Sequence, residues 1–360
     1  MTGLPVRPEL RGVEPYGAPQ HDVPVRLNVN ENPYPPSDSL VADAAVAVAE
    51  AVRGLNRYPD REAAALRADL ARYLQRESGV SLGPDQVWAA NGSNEVMLQI
   101  LQAFGGPGRT ALSFAPTYSM YPEYARDTST AWVTAERASD FTVDVDVALH
   151  AIREHAPSVT FLASPNNPTG TAVPLELVRK LHDAGPGVVV VDEAYAEFRR
   201  SGTPSALTLL ADHPRLIVTR TMSKAFAFAG ARVGYAAAGH KVIDVLRVVR
   251  LPYHLSAVTQ AVARVALAHA GELQSRVDDV RRGRDELAGW LRGAGLDVAE
   301  SDANFVLFGQ FPDRHLVWQG LLDRGVLIRE TGPAGWLRVS VGTPEEMRAF
   351  RAALMEVLQS

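Results

Sequence analysis

The sequence predicts an α/β protein in which a mostly parallel sheet lies between helices, joined to a smaller α+β domain. Two observations carry this expectation. Short apolar runs bounded by Gly or Pro (QVWAA, TALSFAP, SVTFLASP, GVVVVDEAY, RLIVTRTMS) alternate with helical stretches such as NEVMLQILQAF and PLELVRKLHDAG. Uninterrupted apolar strands are buried on both faces, and such alternation indicates a parallel sheet with helical crossovers. From about Leu255, a long helical stretch leads into NFVLFGQF, a further helix, VLIRE and WLRVSVG, a composition that suits a smaller α+β unit.

Residues 1–38 are rich in Pro and polar residues and predict an extended arm that reaches the small domain and a partner subunit. A helical pattern starts near Asp38, breaks at NRYPD, and resumes as REAAALRADLARYLQRESG, closing at Gly79 as a helix C-cap. Residues 39–255 are expected to form the large domain and 256–360 the small one. Residues that end the large-domain strands should line a crevice at the carboxyl edge of the sheet.

The chain has 360 residues and a formal net charge of −5, with no basic stripe, so nucleic acid is not an expected partner. The N-terminus has no apolar signal core and no apolar run approaches the ~20 residues that span a bilayer, so no membrane role and a cytoplasmic location are expected. There is no cysteine, which rules out disulfides, thiolate nucleophiles and Cys-ligated metal; no metal site is expected. The only lysines are Lys180, Lys224 and Lys241, so an amine nucleophile has three candidates.

Four valines deliver Asp192 to a strand end, where a carboxylate is either a solvated cap or the partner of a buried cation. Lys224 follows 32 positions later (224 − 192), after another apolar strand and among small and hydroxyl residues. Lys180 and Lys241 read as surface charges. The setting of Lys224 is desolvating, and burial lowers a lysine pKa until the neutral amine can attack an aldehyde. Thr221, Ser223 and Arg232 supply donors for phosphate oxygens, with Gly230 and Gly234 allowing close backbone approach. A strand-to-helix turn at Gly92, Ser93 and Asn94 offers free amides to an anion, though such a turn is also an ordinary cap. Asn167 in SPNNPTG sits in a tight turn, and joins Asp192, Tyr195 and Lys224 as a group able to hydrogen-bond a cofactor ring.

Through SPNNPTG, VVVDEAYAEF and TMSKAFAFAGARVGY, the sequence resembles the class I/II aminotransferases of pyridoxal-phosphate (PLP) fold type I. Within that superfamily it is similar to the histidinol-phosphate aminotransferase family over nearly the whole chain, through LNVNENPYPPS, NRYPD, AANGSNE, PTYSMYP, LPYHLS, SDANFVLF, VLIRE and WLRVSVG. The resemblance implies a seven-stranded sheet, PLP as cofactor, a homodimer, and transfer of an amino group between histidinol phosphate and 2-oxoglutarate, yielding glutamate, in histidine biosynthesis. It implies that Lys224 carries the cofactor as a Schiff base, Asp192 pairs with the pyridine nitrogen, Asn167 and Tyr195 contact the ring hydroxyl, and Tyr118 stacks on the ring. Gly92, Ser93, Asn94, Thr221, Ser223 and Arg232 would form the phosphate cup, with Tyr58 reaching in from the partner subunit. Arg329 and Arg338 would receive the substrate's carboxylate or phosphate, with Tyr34 and Asn94 as further substrate contacts. The run AFAFAG and Met222 depart from the family's usual residues near the lysine. An aromatic-amino-acid aminotransferase and a PLP-dependent decarboxylase of phosphorylated amino acids share these cofactor residues and stand as alternatives.

Overall fold

A computed structural model describes residues 3–359. The N-terminal arm is mostly irregular, with one 3-10 turn at Pro8–Leu10, until β1 (Val25–Arg26). Helix α1 (Asp38–Arg53) is capped by Ser37, whose hydroxyl accepts from the Leu40 amide at 3.2 Å. Helix α2 spans Ala64–Ser78 and ends on left-handed Gly79, whose amide bonds Gln75 O. It starts three residues later than the REAAALR pattern suggests, because Asp60 accepts from the amides of Glu62 and Ala64 and holds that stretch as a turn.

The large sheet then alternates with helices: β2 (Val87–Ala90), α3 (Gly92–Phe104), β3 (Thr110–Ala115), α4 (Tyr121–Asp127), β4 (Ala131–Glu136), α5 (Val145–His155), β5 (Val159–Ala163), α6 (Leu175–Ala184), β6 (Val188–Asp192), β7 (Leu216–Thr221) and β8 (Gly234–Ala238). Its order is β2-β8-β7-β6-β5-β3-β4, parallel except for β8, which runs antiparallel to both neighbours. The valines of β6 show why the run is continuous. Val189 and Val191 pack in one core cluster, and Val188 and Val190 in the cluster on the opposite face.

The remaining elements are α7 (His240–Val249), α8 (Ala257–Ala268), α9 (Ala270–Gly293), β9 (Asp297–Val298), β10 (Phe305–Gly309), α10 (Arg314–Asp323), β11 (Val326–Leu327), β12 (Trp336–Ser340) and α11 (Pro344–Gln359). The single helical stretch read after Leu255 divides at His269, and α8 packs on α1 and α2. Strands β9, β10 and β12 form an antiparallel sheet, while β1 pairs in parallel with β11, so the arm is tied to the C-terminal part of the chain. A separate core cluster there includes Leu27, Leu287, Phe308, Leu337 and Phe350. No helix among the described residues is long and apolar enough to cross a membrane.

Candidate active site

Ala163, Asp192 and Thr221 end the parallel strands β5, β6 and β7, and all three line a cavity of about 300 Å³. The crevice thus lies at the carboxyl edge of the sheet, where α/β folds bind ligands. Of the residues singled out in the sequence, Ser93, Asn94, Tyr118, Asn167, Asp192, Tyr195, Thr221, Ser223, Lys224, Arg232, Arg329 and Arg338 line it.

Asp192 is buried. Its Oδ2 accepts from Tyr121 OH at 2.8 Å, and its Oδ1 from the Ala194 amide at 3.2 Å and Thr219 Oγ1 at 3.3 Å. Desolvation pushes its pKa up to about 6 against those three donors. An acid so placed is suited to a cationic partner inside the cavity. Lys224 Nζ donates to Val29 O at 2.9 Å. Burial, with Arg338 and Arg232 nearby, brings its pKa down to about 8, which makes the neutral, nucleophilic amine accessible near physiological pH.

At the amino end of α3, Gly92 adopts φ +80°, and a Cβ there would lie 2.6 Å from Arg232 Nη2. A Cβ on Gly234 would lie 2.1 Å from the Ser93 amide nitrogen. These two glycines bring the helix terminus, Arg232 and Ser223 into one cradle, completed by Arg232 Nη1 to Ser223 Oγ at 3.3 Å and Thr221 Oγ1 to Ser223 Oγ at 2.9 Å. Gly230, by contrast, has open space around it.

Arg329 and Arg338 form a second cationic group. Arg338 is buried, donates through Nη1 to Asn167 Oδ1 and through Nη2 to Asn28 O at 2.7 Å, and lies over the Phe305 ring. Burial, with the Arg329 charge nearby, lowers its pKa to about 10. Arg338 Nε and Arg329 Nη1 are buried without a hydrogen-bond partner. Both residues line the cavity, where guanidinium groups suit an anionic ligand. Tyr195 is buried, and its OH accepts from Asn30 Nδ2 at 3.0 Å.

Two of the sequence-based candidates lie elsewhere. Tyr58 is 79% exposed and stacks on Tyr253 with centroids 4.4 Å apart. Tyr34 is turned away from the cavity: its amide bonds Asn32 Oδ1 at 3.0 Å and its ring sits under Arg276 in a groove with α9 and α11. The expectation that Tyr34 joins the substrate site is therefore not met within one chain. Conversely, Tyr16 lines the cavity and meets Ser119 Oγ at 3.0 Å, and Tyr121 holds Asp192; neither was singled out from the sequence. Tyr121 had a signal, since PTYSMYP carries a second tyrosine three residues after Tyr118. His182, Asp183 and His213, whose ligand-type atoms lie within 4.8 Å of one another, stand before the amino ends of β6 and β7, away from this cavity.

The family model described as aminotransferase class I and II matches residues 23–354. The chain belongs to the class I and II aminotransferases. It is 64% identical over 352 residues to a histidinol-phosphate aminotransferase of Thermobifida fusca, covering 98% of this chain and 95% of that one. It is 61% identical over 358 residues to histidinol-phosphate aminotransferase 3 of Burkholderia lata, covering 99% and 97%. Among solved structures it resembles histidinol-phosphate aminotransferase from Sinorhizobium meliloti in complex with pyridoxal-5'-phosphate, at TM-score 0.83 and 27% identity over 94% of this chain and 91% of that one. An aspartate aminotransferase variant of Thermus thermophilus superposes at TM-score 0.83 and 25% identity, covering 100% and 99%. The aminotransferase family fixes the sheet as that of PLP fold type I.

Proposed function

We propose that this aminotransferase moves an amino group between L-histidinol phosphate and 2-oxoglutarate in histidine biosynthesis, with pyridoxal 5'-phosphate in the cavity. The observation that carries the reading is two separate cationic groups lining one cavity: Arg232 in its cradle, for the cofactor phosphate, and the Arg329–Arg338 pair, for substrate. A planar guanidinium accepts carboxylate and phosphate alike, so one pair serves glutamate in one half-reaction and histidinol phosphate in the other. The naming of relatives at 61–64% identity supports this choice of substrate.

The residues fit the cofactor. Ser93, Asn94, Thr221, Ser223 and Arg232, with the close approach at Gly92, bind its phosphate, and Asn167 and Tyr195 hydrogen-bond its ring hydroxyl. When bound, pyridoxal phosphate supplies an aldehyde that joins the substrate amine and a ring that takes up the electron pair left when the α-carbon loses a proton. Lys224 holds the cofactor at rest, and once released its Nζ takes that α-proton. Asp192 keeps a proton on the ring nitrogen, and Tyr118 covers the ring face. Arg329 and Arg338 orient the substrate, and Tyr16 and Asn94 close the cavity around it.

The protein is proposed to act as a homodimer in which Tyr58 of a second copy reaches the cofactor phosphate. The exposure of Tyr58, Val248 and Leu251, at 79%, 81% and 73%, supports a covered face at that end of the molecule. Single-turnover mixing of the PLP-loaded protein with L-histidinol phosphate, L-glutamate or L-phenylalanine, followed by visible absorbance, tests the substrate. Fast conversion by the first two and slow conversion by the third is expected; fastest reaction with phenylalanine would move the assignment to aromatic amino acids.

A further inference from the structure

Tyr121 touches both groups that would hold the cofactor ring. Its phenol donates to Asp192 Oδ2 at 2.8 Å. Its ring stands edge-on to Tyr118, with centroids 5.5 Å apart at 90°, and stacks on Phe161 at 4.8 Å and 13°. The side chain has no exposure, and its amide donates to Tyr118 O at 3.2 Å, so both rings hang from one turn. Phe161 lies on β5, whose Ala163 is the register partner of Asp192 on β6. The Tyr121 ring is therefore held by the sheet below and by Tyr118 beside it, which fixes the direction of its hydroxyl.

A carboxylate oxygen offers two lone-pair positions. On Asp192, Oδ1 receives the Ala194 amide and Thr219 Oγ1, and Oδ2 receives Tyr121, which leaves one position on Oδ2. Without Tyr121 the carboxylate would keep Oδ1 anchored but leave both positions of Oδ2 open, and nothing on that side would select the one facing the cavity.

We propose that Tyr121 is a positioning residue for the cofactor ring: its phenol selects the acceptor position Asp192 presents, and its ring sets the tilt of Tyr118. The partner of the ring nitrogen and the surface that covers the ring then move as one unit. This rests on the assignment of pyridoxal phosphate to the cavity.

The groups around Asp192 set its contribution to the pH response of the protein without cofactor. Glu193, the residue that follows, raises the Asp192 pKa, while Tyr121, Thr219 and the Ala194 amide lower it. Burial raises the pKa of each phenol nearby, Tyr118, Tyr121, Tyr124 and Tyr195, so these stay uncharged around neutrality. Burial wins at Asp192, so the folded pKa, about 6, exceeds the unfolded one. The stability this group contributes is present in full below the unfolded pKa and is lost as pH rises through 6. Removing a donor to the charged form deepens that loss.

The experiment compares the wild type with Tyr121→Phe, which retains the ring and its packing. Apo-protein is titrated with pyridoxal phosphate, and its thermal midpoint is measured at pH 5 and pH 8. The expected results are a dissociation constant raised about tenfold and a fall in midpoint that is larger at pH 8 than at pH 5. A dissociation constant within twofold of wild type, or a fall equal at the two pH values, would overturn the proposal and leave Tyr121 as core packing. Failure of the wild type itself to bind pyridoxal phosphate would count against the cofactor assignment instead, which keeps the two readings apart.

Discussion

Arg338 donates through Nη1 to Asn167 Oδ1, joining a strand of the C-terminal sheet to the turn that follows β5. The cation proposed to bind substrate and the proposed contact of the cofactor hydroxyl are thus one hydrogen-bonded unit. The pairing is anchored on the other side by Nη2 to Asn28 O, and by the backbone bridge in which Arg329 and Arg338 exchange amide hydrogen bonds at 3.0 and 2.9 Å.

Arg338→Lys follows from this geometry. Lysine keeps the charge but offers a point donor where the arginine fork reaches Asn167, Asn28 and a ligand together. A loss of about 3 kcal/mol in transition-state binding, about a hundredfold in kcat/KM, is expected for both histidinol phosphate and glutamate. Steady-state kinetics with each donor check it; a loss confined to one would show that the two substrates use different cations.

The glycines that build the cradle separate by what surrounds them. Gly234→Ala would place a methyl 2.1 Å from Ser93 N and 2.3 Å from Gly92 C, both backbone atoms that cannot swing aside. It should destabilise the fold by about 2 kcal/mol and weaken cofactor binding. Gly230→Ala meets nothing within 4 Å and should change stability by less than about 0.5 kcal/mol. Thermal melts of the two apo-variants, with cofactor titrations, make the comparison.

Much of this arrangement was legible in the sequence for a physical reason. The strand that delivers Asp192 is buried on both faces, so its apolar run is unbroken and its end is visible, and the strand that delivers Thr221 announces itself by its Leu-Ile-Val start. The strands that escaped notice lack that signature. Ala131–Glu136 is the edge strand β4 with half its residues exposed, and Gly234–Ala238 has a glycine and three alanines among its five residues, which fits its close packing on α3 but carries little strand signal. Tyr16 lies in an irregular arm without periodicity, and its place at the cavity is set by a tertiary contact with Ser119. Tyr34 lies away from the cavity of its own chain because NENPYP fixes a turn but not where the turn points.

Tyr58→Ala tests the partner contribution. The side chain is 79% exposed and contacts Tyr253, so its loss should leave the melting temperature of the apo-protein nearly unchanged. Cofactor affinity should fall by about tenfold through loss of the proposed hydrogen bond to phosphate. Sedimentation velocity of wild type and variant, alongside the titration, reads both effects; a wild-type monomer with full activity would remove this role from Tyr58.

Lys224 links catalysis to stability with a definite sign. Its folded pKa, about 8, is below the ordinary lysine value of 10.5, so the fold favours the neutral amine. Protonation in the folded apo-protein is disfavoured, and the stability that the neutral amine contributes is present above the unfolded pKa and lost as pH falls through 8. At pH 7 the loss approaches about 3 kcal/mol as an upper bound, reduced because the amine lines a cavity open to solvent. Lys224→Met removes the titrating group while keeping its apolar stem, so the apo-variant should melt higher than wild type at pH 6.5 and lose that advantage toward pH 10. Transamination should vanish at every pH, since methionine neither holds the aldehyde nor takes the α-proton. Melting curves across that range decide it: an advantage that does not shrink with rising pH would mean that the lysine charge is not what destabilises the empty site.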